Sequence, residues 1–188
     1  FRSLNVSDMQ TLRALAKLVH MLSWVLYTYW RIRTVFHKFG PEEHARAVEE
    51  WAQGMLSILG ITVRVQGEPS KGPVLMAANH ISWLDIHAIN AFKPIRFVAK
   101  SEVEGWPIFG WMAKQLGTVF IKRGNSRNAA QVVNHMAHIL QSESICIFPE
   151  GTSTEGRSVR PFKTNLFESA VVSKVPVYTV AIQYFDQN

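Results

Sequence analysis

The sequence predicts an α/β domain, with a mixed, largely parallel sheet covered by helices, preceded by an N-terminal amphipathic helical hairpin. From residue 61 onward, short apolar runs of strand length alternate with stretches of helical periodicity, which is the pattern of repeated strand–helix units. Before residue 60, apolar side chains recur every three or four positions in two long stretches, which is the period of a helix. We therefore expect a helical hairpin over 1–60 and an α/β domain over 61–188.

The composition favours one globular domain with an anionic partner. The chain has 188 residues, of which 47% are hydrophobic, enough to build a core and too many for a disordered chain. Its net charge of +6 and pI near 9.7 favour a membrane surface or a phosphate ester as a partner. Nucleic acid is not predicted, because no dense basic cluster is interleaved with aromatic residues. The single cysteine, Cys146, lies in an apolar run, so we expect a core thiol and no internal disulfide.

The hairpin begins with a predicted helix over the first thirty residues. Ser7 to Gln10 have the pattern of a capping box, so we expect this helix to start there. Its apolar stripe comprises Leu12, Leu15, Ala16, Val19, Leu22, Leu26, Tyr29 and Trp30. The uncharged stretch from Leu18 to Trp30 is 13 residues long, shorter than the ~20 that span a bilayer.

The second helix of the hairpin is bounded by backbone signals. Gly40-Pro41 places a proline at the first helical position, and Gly60 provides the C-terminal stop. Aromatic residues and flanking cations suit a lipid headgroup interface. This favours a hairpin that lies on a membrane over an ordinary helix pair packed on the domain.

The α/β region divides into further predicted elements. The predicted strands are 73–78, 96–99, 118–121, 144–148 and 177–183, and the alternation at Ile61, Val63 and Val65 indicates another. The predicted helices are 82–92, 107–115, a helix capped by Asn125 or Ser126 that reaches about Gln141, and 164–172. In parallel sheets, functional residues lie at the carboxyl ends of strands, so the residues after each strand are the candidates.

A histidine and an aspartate follow the first of these buried strands. His80 and Asp85 are five residues apart, which in a regular helix would offset them by ~140°. We therefore expect His80 in the turn before the helix, with Ser82 as N-cap, so that Asp85 can orient the imidazole. Such a pair suits a general base, because histidine exchanges protons near neutral pH. The other interpretation of His80 is a histidine that merely caps the strand end.

No metal site is predicted in this region. Asp85 and His87 stand near His80, but neither a His-Glu-x-x-His pattern nor a cysteine pair accompanies them. We expect His87 to be a packing or surface residue.

Two further blocks follow later strands. Lys122-Arg123 places two cations at a strand end, which suits a phosphate or carboxylate, although a solvated basic turn is the default interpretation of such a pair. Glu150-Gly151-Thr152 follows a buried strand and a proline. There Glu150 can bind an acceptor hydroxyl, and the backbone of Gly151 and Thr152 can approach a phosphate or oxyanion; the other interpretation is a plain turn.

The three blocks, in this order, resemble the glycerophospholipid O-acyltransferase family of the lysophosphatidate type, over roughly residues 74–180. The resemblance implies transfer of a fatty acyl group from a thioester, coenzyme A or acyl carrier protein, to the free hydroxyl of a lysophospholipid, with no other cofactor. It implies a membrane-associated enzyme on the cytoplasmic face of the inner (plasma) membrane. It makes His80 the catalytic base and Asp85 its orienter. The implied substrate-binding residues are Asn79, Lys100, Lys122, Arg123, Glu150, Gly151 and Thr152, with Arg123 and Lys100 on the phosphate.

One departure from the family pattern concerns the acceptor. Ser153 stands where an arginine is common, so a cation near the headgroup is missing. Arg157, Arg160 or Lys163 could replace it. Alternatively, the acceptor is not a phosphate monoester, because some relatives acylate lyso-ornithine lipids.

Two other functions remain open from the sequence. A lipid hydrolase would use water as the acceptor, and a lipid-binding module would keep the fold without chemistry. No Gly-x-Ser-x-Gly motif occurs, so direct attack by the acceptor is favoured over a covalent acyl-enzyme. The chain begins at Phe1, without a methionine, and stops just after the last predicted strand, so we expect a trimmed chain whose α/β domain is incomplete at its C-terminus. No signal peptide is predicted.

Overall fold

The computed structural model describes residues 5–122 and 126–185. The strands are β1 (Leu75–Ala78), β2 (Arg96–Lys100), β3 (Val119–Ile121), β4 (Ile145–Ile147) and β5 (Val177–Val180). The helices are α1 (Val6–Thr34), α2 (Pro41–Leu59), α3 (Leu84–Asn90), α4 (Ser101–Glu104), α5 (Phe109–Gln115), α6 (Ser126–Ile139) and α7 (Glu168–Ser173). Short 3-10 turns occur at Phe36–Lys38 and Thr164–Phe167.

The five strands form one sheet in the order β3-β2-β4-β1-β5. Each described pairing is parallel, so the predicted α/β class is confirmed. β1 lies between β4 and β5, although β4 follows it by about seventy residues. The histidine block after β1 and the glutamate block after β4 therefore leave the same edge of the sheet side by side.

Helices cover both faces of the sheet. Successive side chains of each strand point to opposite faces, so each strand contributes to both layers of the core. Leu75 and Ala77 of β1 point to one face, where they join Met136 of α6, Leu140 directly after it, and Ala170 of α7. On the other face a second cluster contains Met76, Ala78, Ile89, Phe97 and Cys146. Burial on both sides explains why β1 and β4 are continuous apolar runs rather than alternating ones.

The hairpin formed by α1 and α2 packs on the domain through a third cluster. Its buried members are Val25, Ile32, Phe36, Met55 and Met112. The two helices approach closely at Gly54, where a Cβ would lie 2.3 Å from Cζ2 of Trp24. The Trp24 indole donates a hydrogen bond to the carbonyl of Trp51 at 3.2 Å. The hairpin is thus held against the α/β domain by the second half of α1 and by α2.

The first half of α1 extends past the end of α2. The ammonium of Lys17 donates a hydrogen bond to the carbonyl of Leu59 at 3.1 Å, so residues before Lys17 lie beyond the last residue of α2. Side chains 7–20 are all exposed, and the apolar stripe predicted there faces solvent. Across the described ranges, no helix combines the length and the apolar character that crossing a membrane requires.

Three local predictions were wrong. α1 begins at Val6 with Asn5 as its N-cap, and the backbone N–H of Asn5 donates to the Asp8 carboxylate at 3.2 Å, so the capping pair is two residues earlier than Ser7–Gln10. The alternation over 61–65 does not form a strand. α3 begins at Leu84 rather than Ser82.

Other boundaries differ by one to four residues. α5 begins at Phe109 rather than Pro107, and α4 was not predicted. The segment predicted as a helix over 164–172 begins as a 3-10 turn and becomes α-helical at Glu168.

Candidate active site

His80 lies in the turn between β1 and α3, with its ring against the carboxylate of Asp85. The distance from His80 Nδ1 to Asp85 Oδ2 is 2.8 Å, and α3 begins only at Leu84. The predicted pairing geometry is therefore confirmed. The imidazole is 21% exposed, and it stacks on Phe148 with the ring centroids 4.1 Å apart.

The Asp85 carboxylate is fully buried and accepts four hydrogen bonds. Besides the imidazole, Oδ2 accepts from the backbone N–H groups of Ile81 at 2.7 Å and Ser82 at 3.0 Å. The other oxygen, Oδ1, accepts from the hydroxyl of Tyr184 at 2.6 Å. The turn before α3 thus wraps around the carboxylate. The Ser82 hydroxyl also accepts a hydrogen bond from the Leu84 N–H at 3.3 Å, which is the bond that the predicted Ser82 cap would make.

These contacts keep Asp85 ionised. Burial by itself raises the pKa of Asp85, but the hydrogen bonds from His80, Tyr184 and the two backbone N–H groups outweigh it, and the pKa lies below its ordinary value. An anionic acceptor at Nδ1 favours the neutral imidazole tautomer that has its proton on Nδ1. Nε2 is then left with a lone pair, which is the form of a general base.

Glu150, from the block after β4, holds the backbone of His80. The side chain is buried, and its Oε1 accepts from the His80 N–H at 3.0 Å while Oε2 accepts from the Arg160 N–H at 2.9 Å. The carbonyl of His80 accepts from the Thr154 N–H at 2.8 Å. The third block therefore fixes the main chain of His80 on both sides. A contact between Glu150 and an acceptor hydroxyl stays a prediction.

Asn79 connects the end of β1 to the segment after β5. Its side-chain amide donates to the carbonyl of Ile182 at 3.0 Å and accepts from the Ile182 N–H at 2.7 Å. Both polar atoms of the side chain are used in this pair, which holds the chain that leads to Tyr184. A role of Asn79 in substrate binding stays a prediction.

Lys163 lies over the glycine of the third block. Gly151 has a φ of +69°, and a Cβ there would lie 2.6 Å from the Lys163 ammonium. The positive φ favours glycine at this position. Arg157, Arg160 and Lys163 were the candidates for the cation that is missing at Ser153. Of these, Lys163 has its ammonium next to the Glu150-Gly151-Thr152 block. Arg157 is instead paired with Glu155 at 3.5 Å.

Lys100 ends β2 on the same edge of the sheet as His80. Phe97 pairs with Cys146, which pairs with Met76, so Lys100 is level with Asn79. β2 lies two strands from β1, a backbone separation of roughly 10 Å. The Lys100 side chain is exposed and makes no hydrogen bond to another described residue. Its predicted binding to a substrate phosphate stays a prediction.

Lys122 and Arg123 form the cationic block after β3. Lys122 is exposed and follows β3, an edge strand that lies three strands from β1, roughly 14 Å away. Arg123 lies outside the described residues. Their roles in substrate binding stay predictions.

His87 and Cys146 are core residues, as expected. The His87 ring is buried between Trp51, at a centroid distance of 4.6 Å, and Trp83, at 5.2 Å. Burial lowers the pKa of His87 to about 4. Cys146 is buried, and burial raises the pKa of its thiol. Over the residues that the structure describes, no group of three or more His, Cys, Asp or Glu side chains is placed to hold a metal ion.

The contact between Tyr184 and Asp85 was not predicted from the sequence. The two residues are 99 positions apart, and Tyr184 lies beyond the motif blocks. The only signal in the sequence was that Tyr184 follows a predicted strand at the edge where functional residues gather.

The comparison with known families defines the class of protein. The family model described as Acyltransferase matches residues 61–183, which include β1 to β5 and the site described above. The chain belongs to the acyltransferase family.

Individual relatives agree with this assignment. The chain is 36% identical, over 92% of its length and 69% of the relative's, to the 1-acyl-sn-glycerol-3-phosphate acyltransferase of Neisseria meningitidis. It is 41% identical, over 74% of its length and 54% of the relative's, to the lyso-ornithine lipid O-acyltransferase of Pseudomonas aeruginosa. The crystal structure of PlsC, the 1-acyl-sn-glycerophosphate acyltransferase from Thermotoga maritima, matches with a TM-score of 0.64 at 24% identity, over 88% of this chain and 73% of that one. That likeness supports the fold.

The buried Asp85 carboxylate predicts a pH-dependent loss of stability. Because its pKa is lower in the folded protein than in the unfolded chain, its contribution to the free energy of unfolding is complete above about pH 4 and is lost as the pH falls through the folded value. Asp85→Asn should lower the free energy of unfolding by about 1–3 kcal/mol at neutral pH. Urea titrations from pH 7 to about 3 should show this difference narrowing with acid.

The control is Asp8→Asn, at the exposed start of α1, which should show a small difference at each pH. A difference between wild type and Asp85→Asn that is constant down to about pH 3 would contradict the assignment of Asp85 as a buried, ionised carboxylate.

Proposed function

We propose that the protein transfers a fatty acyl group from an acyl thioester to the free hydroxyl of lysophosphatidate and so forms phosphatidate. The observation that supports this most is the 2.8 Å contact between His80 and the buried Asp85 at the carboxyl end of β1. Membership of the acyltransferase family and the name of the Neisseria meningitidis relative support the choice of reaction and acceptor.

The proposed reaction needs one base. The acceptor hydroxyl attacks the thioester carbonyl while Nε2 of His80 takes its proton, so that a carbon–oxygen bond forms and a tetrahedral oxyanion results. The intermediate collapses, the carbon–sulfur bond breaks, and the imidazolium gives its proton to the leaving thiolate. Asp85 stabilises the imidazolium between these steps. The products are the acylated lipid and the free thiol.

The donor in this proposal is acyl-coenzyme A or acyl carrier protein, and no further cofactor takes part. Both donors are water-soluble, whereas the lysolipid lies in a bilayer. The site therefore works at the boundary of the two phases. We place it on the cytoplasmic face of the inner membrane, where such thioesters are available.

The exposed apolar stripe of α1 is the proposed membrane contact. Its side chains include Leu15, Leu22 and Leu26, each more than half exposed, and its N-terminal part extends past the end of α2. The exposed cations Arg13 and Lys17 flank this stripe. An apolar stripe with basic neighbours suits the interface of an anionic bilayer, where a helix lies in the plane of the headgroups.

A second acceptor has a specific observation in its favour. Ser153 is exposed and neutral, and the Pseudomonas aeruginosa relative is named as a lyso-ornithine lipid O-acyltransferase. If the acceptor is a phosphate monoester instead, Lys163 is the cation against the Glu150-Gly151-Thr152 block that can meet it. If lysophosphatidate is the acceptor, Lys163 and Arg123 should both contribute to its binding, whereas a lyso-ornithine lipid does not require them.

Replacement of the base should remove most of the activity. His80→Ala should lower the rate of thiol release by about 10²–10⁴-fold, the usual contribution of general-base catalysis, whereas Asp85→Asn should cost as much or less. The control is His135→Ala, an exposed histidine on α6, which should keep wild-type activity. Wild-type thiol release in a folded His80→Ala protein would refute the mechanism.

The same assay separates a transferase from a hydrolase. Thiol release that requires a lysolipid supports transfer. Equal release of free fatty acid without any acceptor supports hydrolysis, and no release with any acceptor supports a binding module.

The α1 stripe should determine binding to lipid. The triple variant Leu15→Glu, Leu22→Glu and Leu26→Glu should bind vesicles of anionic phospholipid at least ten-fold more weakly in sedimentation, because it places charge on the apolar face. Binding of the wild type should weaken at high salt through screening. The matched control is Val171→Glu with Val172→Glu, two exposed valines on α7. Equal loss in both variants would contradict a specific role of α1.

Lys163 should contribute to recognition of a phosphate headgroup. Lys163→Ala should raise KM for lysophosphatidate about ten-fold, since a charge-assisted hydrogen bond contributes about 1.5–3 kcal/mol, with little effect on KM for the donor. Arg123→Ala should act in the same direction, and Lys71→Ala, an exposed loop lysine, is the control.

The acceptor itself is identified by a further substitution. Ser153→Arg should improve or leave unchanged the kinetics with lysophosphatidate, and should weaken those with a lyso-ornithine lipid by repelling its amine. If Lys163→Ala and Arg123→Ala both leave lysophosphatidate kinetics unchanged, the phosphate assignment is wrong.

A further inference from the structure

Tyr184 lies beyond β5 and outside the three motif blocks, yet its hydroxyl reaches the catalytic carboxylate. The hydroxyl oxygen is 2.6 Å from Asp85 Oδ1. That oxygen is the one that His80, Ile81 and Ser82 do not use, because all three donate to Oδ2.

The division of donors between the two oxygens decides the orientation of the carboxylate. Three donors on Oδ2 hold one end of the group, and the single donor on Oδ1 prevents rotation about the bond to the side chain. Because Asp85 is fully buried, an Oδ1 without a donor would be a desolvated anionic atom without a partner. Tyr184 therefore completes the hydrogen bonding of the carboxylate.

The path of the chain to Tyr184 is itself fixed. The side chain of Asn79 makes two hydrogen bonds to the backbone of Ile182, two residues before the tyrosine. Asn79 is the residue immediately before His80, so the same short segment after β1 that presents the base also holds the segment that presents Tyr184.

We propose that Tyr184 is a positioning residue for the base: its hydroxyl fixes the Asp85 carboxylate and limits how strongly that carboxylate stabilises the protonated His80. This inference rests on the proposed acyl transfer by His80 and adds a residue to it. A hydrogen bond to Oδ1 draws negative charge away from Oδ2. Its removal leaves a more basic carboxylate that holds the imidazolium more strongly and in a less defined orientation.

The other titratable groups around the pair are few within the described residues. Glu150, from the loop after β4, accepts from the His80 backbone. Cys146 of β4 lies close enough to Asp85 for its thiol pKa to be raised by burial and by that charge. His87 is on α3, as Asp85 is, but its ring packs between Trp51 and Trp83. None of these donates to Oδ1, so Tyr184 is the group whose change alters that oxygen directly.

The test is the pH dependence of kcat for Tyr184→Phe, which removes one oxygen atom. We expect kcat to fall about three- to ten-fold, KM for donor and acceptor to stay within two-fold, and the acidic limb of the pH–rate profile to move to higher pH. The matched control is Tyr178→Phe, an exposed tyrosine on β5, which should leave kcat and the profile unchanged.

A second variant tests the sign of the effect. Replacement of Tyr184 by 3-fluorotyrosine keeps the ring and makes the hydroxyl a stronger donor, so the acidic limb should move to lower pH. The Asp85→Asn background provides a third measurement: Tyr184→Phe should there cost less than two-fold, because its target is already altered.

The outcomes are distinguishable. If Tyr184→Phe lowers the melting temperature but leaves kcat and the pH profile as in the wild type, the residue is only structural and the inference is overturned. Movement of the acidic limb in the same direction for phenylalanine and fluorotyrosine also overturns it. If Tyr184→Phe does not fold, the pH–rate profile of the 3-fluorotyrosine protein is the test, and an acidic limb that does not move to lower pH overturns the inference. Absence of thiol release in the wild type would instead refute the proposed function.

Discussion

The buried carboxylate of Asp85 is the group on which the arrangement of this site depends. A carboxylate without exposure to water is tolerated only where hydrogen bonds replace its hydration. Four donors do so: the His80 ring, two backbone N–H groups of the turn, and the Tyr184 hydroxyl. The turn before α3, the orientation of the imidazole and the course of the chain after β5 all follow from the requirement to satisfy this one group.

The strand order brings these donors together. Because β1 lies between β4 and β5, the segments that leave the three strands at their carboxyl ends are neighbours. Glu150 fixes the backbone of His80 from the β4 side, and the Asn79–Ile182 pair fixes the β5 side. These hydrogen bonds fix the position of His80, which the proposed general-base catalysis requires, since a displaced base loses its effect. The first half of α1, in contrast, is exposed, and we propose that it contacts the membrane.

The fold class and the His80–Asp85 pair could be predicted because their signals are local. The periodicity of apolar residues predicts the strands and helices. The five-residue spacing of His80 and Asp85, with a helix that starts after His80, predicts their contact. The contact of Glu150 with the His80 backbone joins residues 70 apart, and that of Tyr184 with Asp85 joins residues 99 apart. Both depend on the strand order, which periodicity does not determine. The wrong start of α1 has another cause: Asn5 and Asp8 form a capping pair two residues before the similar pattern at Ser7.

The central claim is that Asp85 holds His80 as a neutral base with its proton on Nδ1 and a free lone pair on Nε2. Nitrogen-15 NMR of histidine-labelled protein measures this directly, with the His80 signals assigned by His80→Gln. Above the titration range of the ring, the account predicts a protonated Nδ1 and an unprotonated Nε2 in the wild type, and a mixture of tautomers in Asp85→Asn. A wild-type ring with its proton on Nε2 would contradict the account, because that nitrogen could not accept a proton from the acceptor hydroxyl.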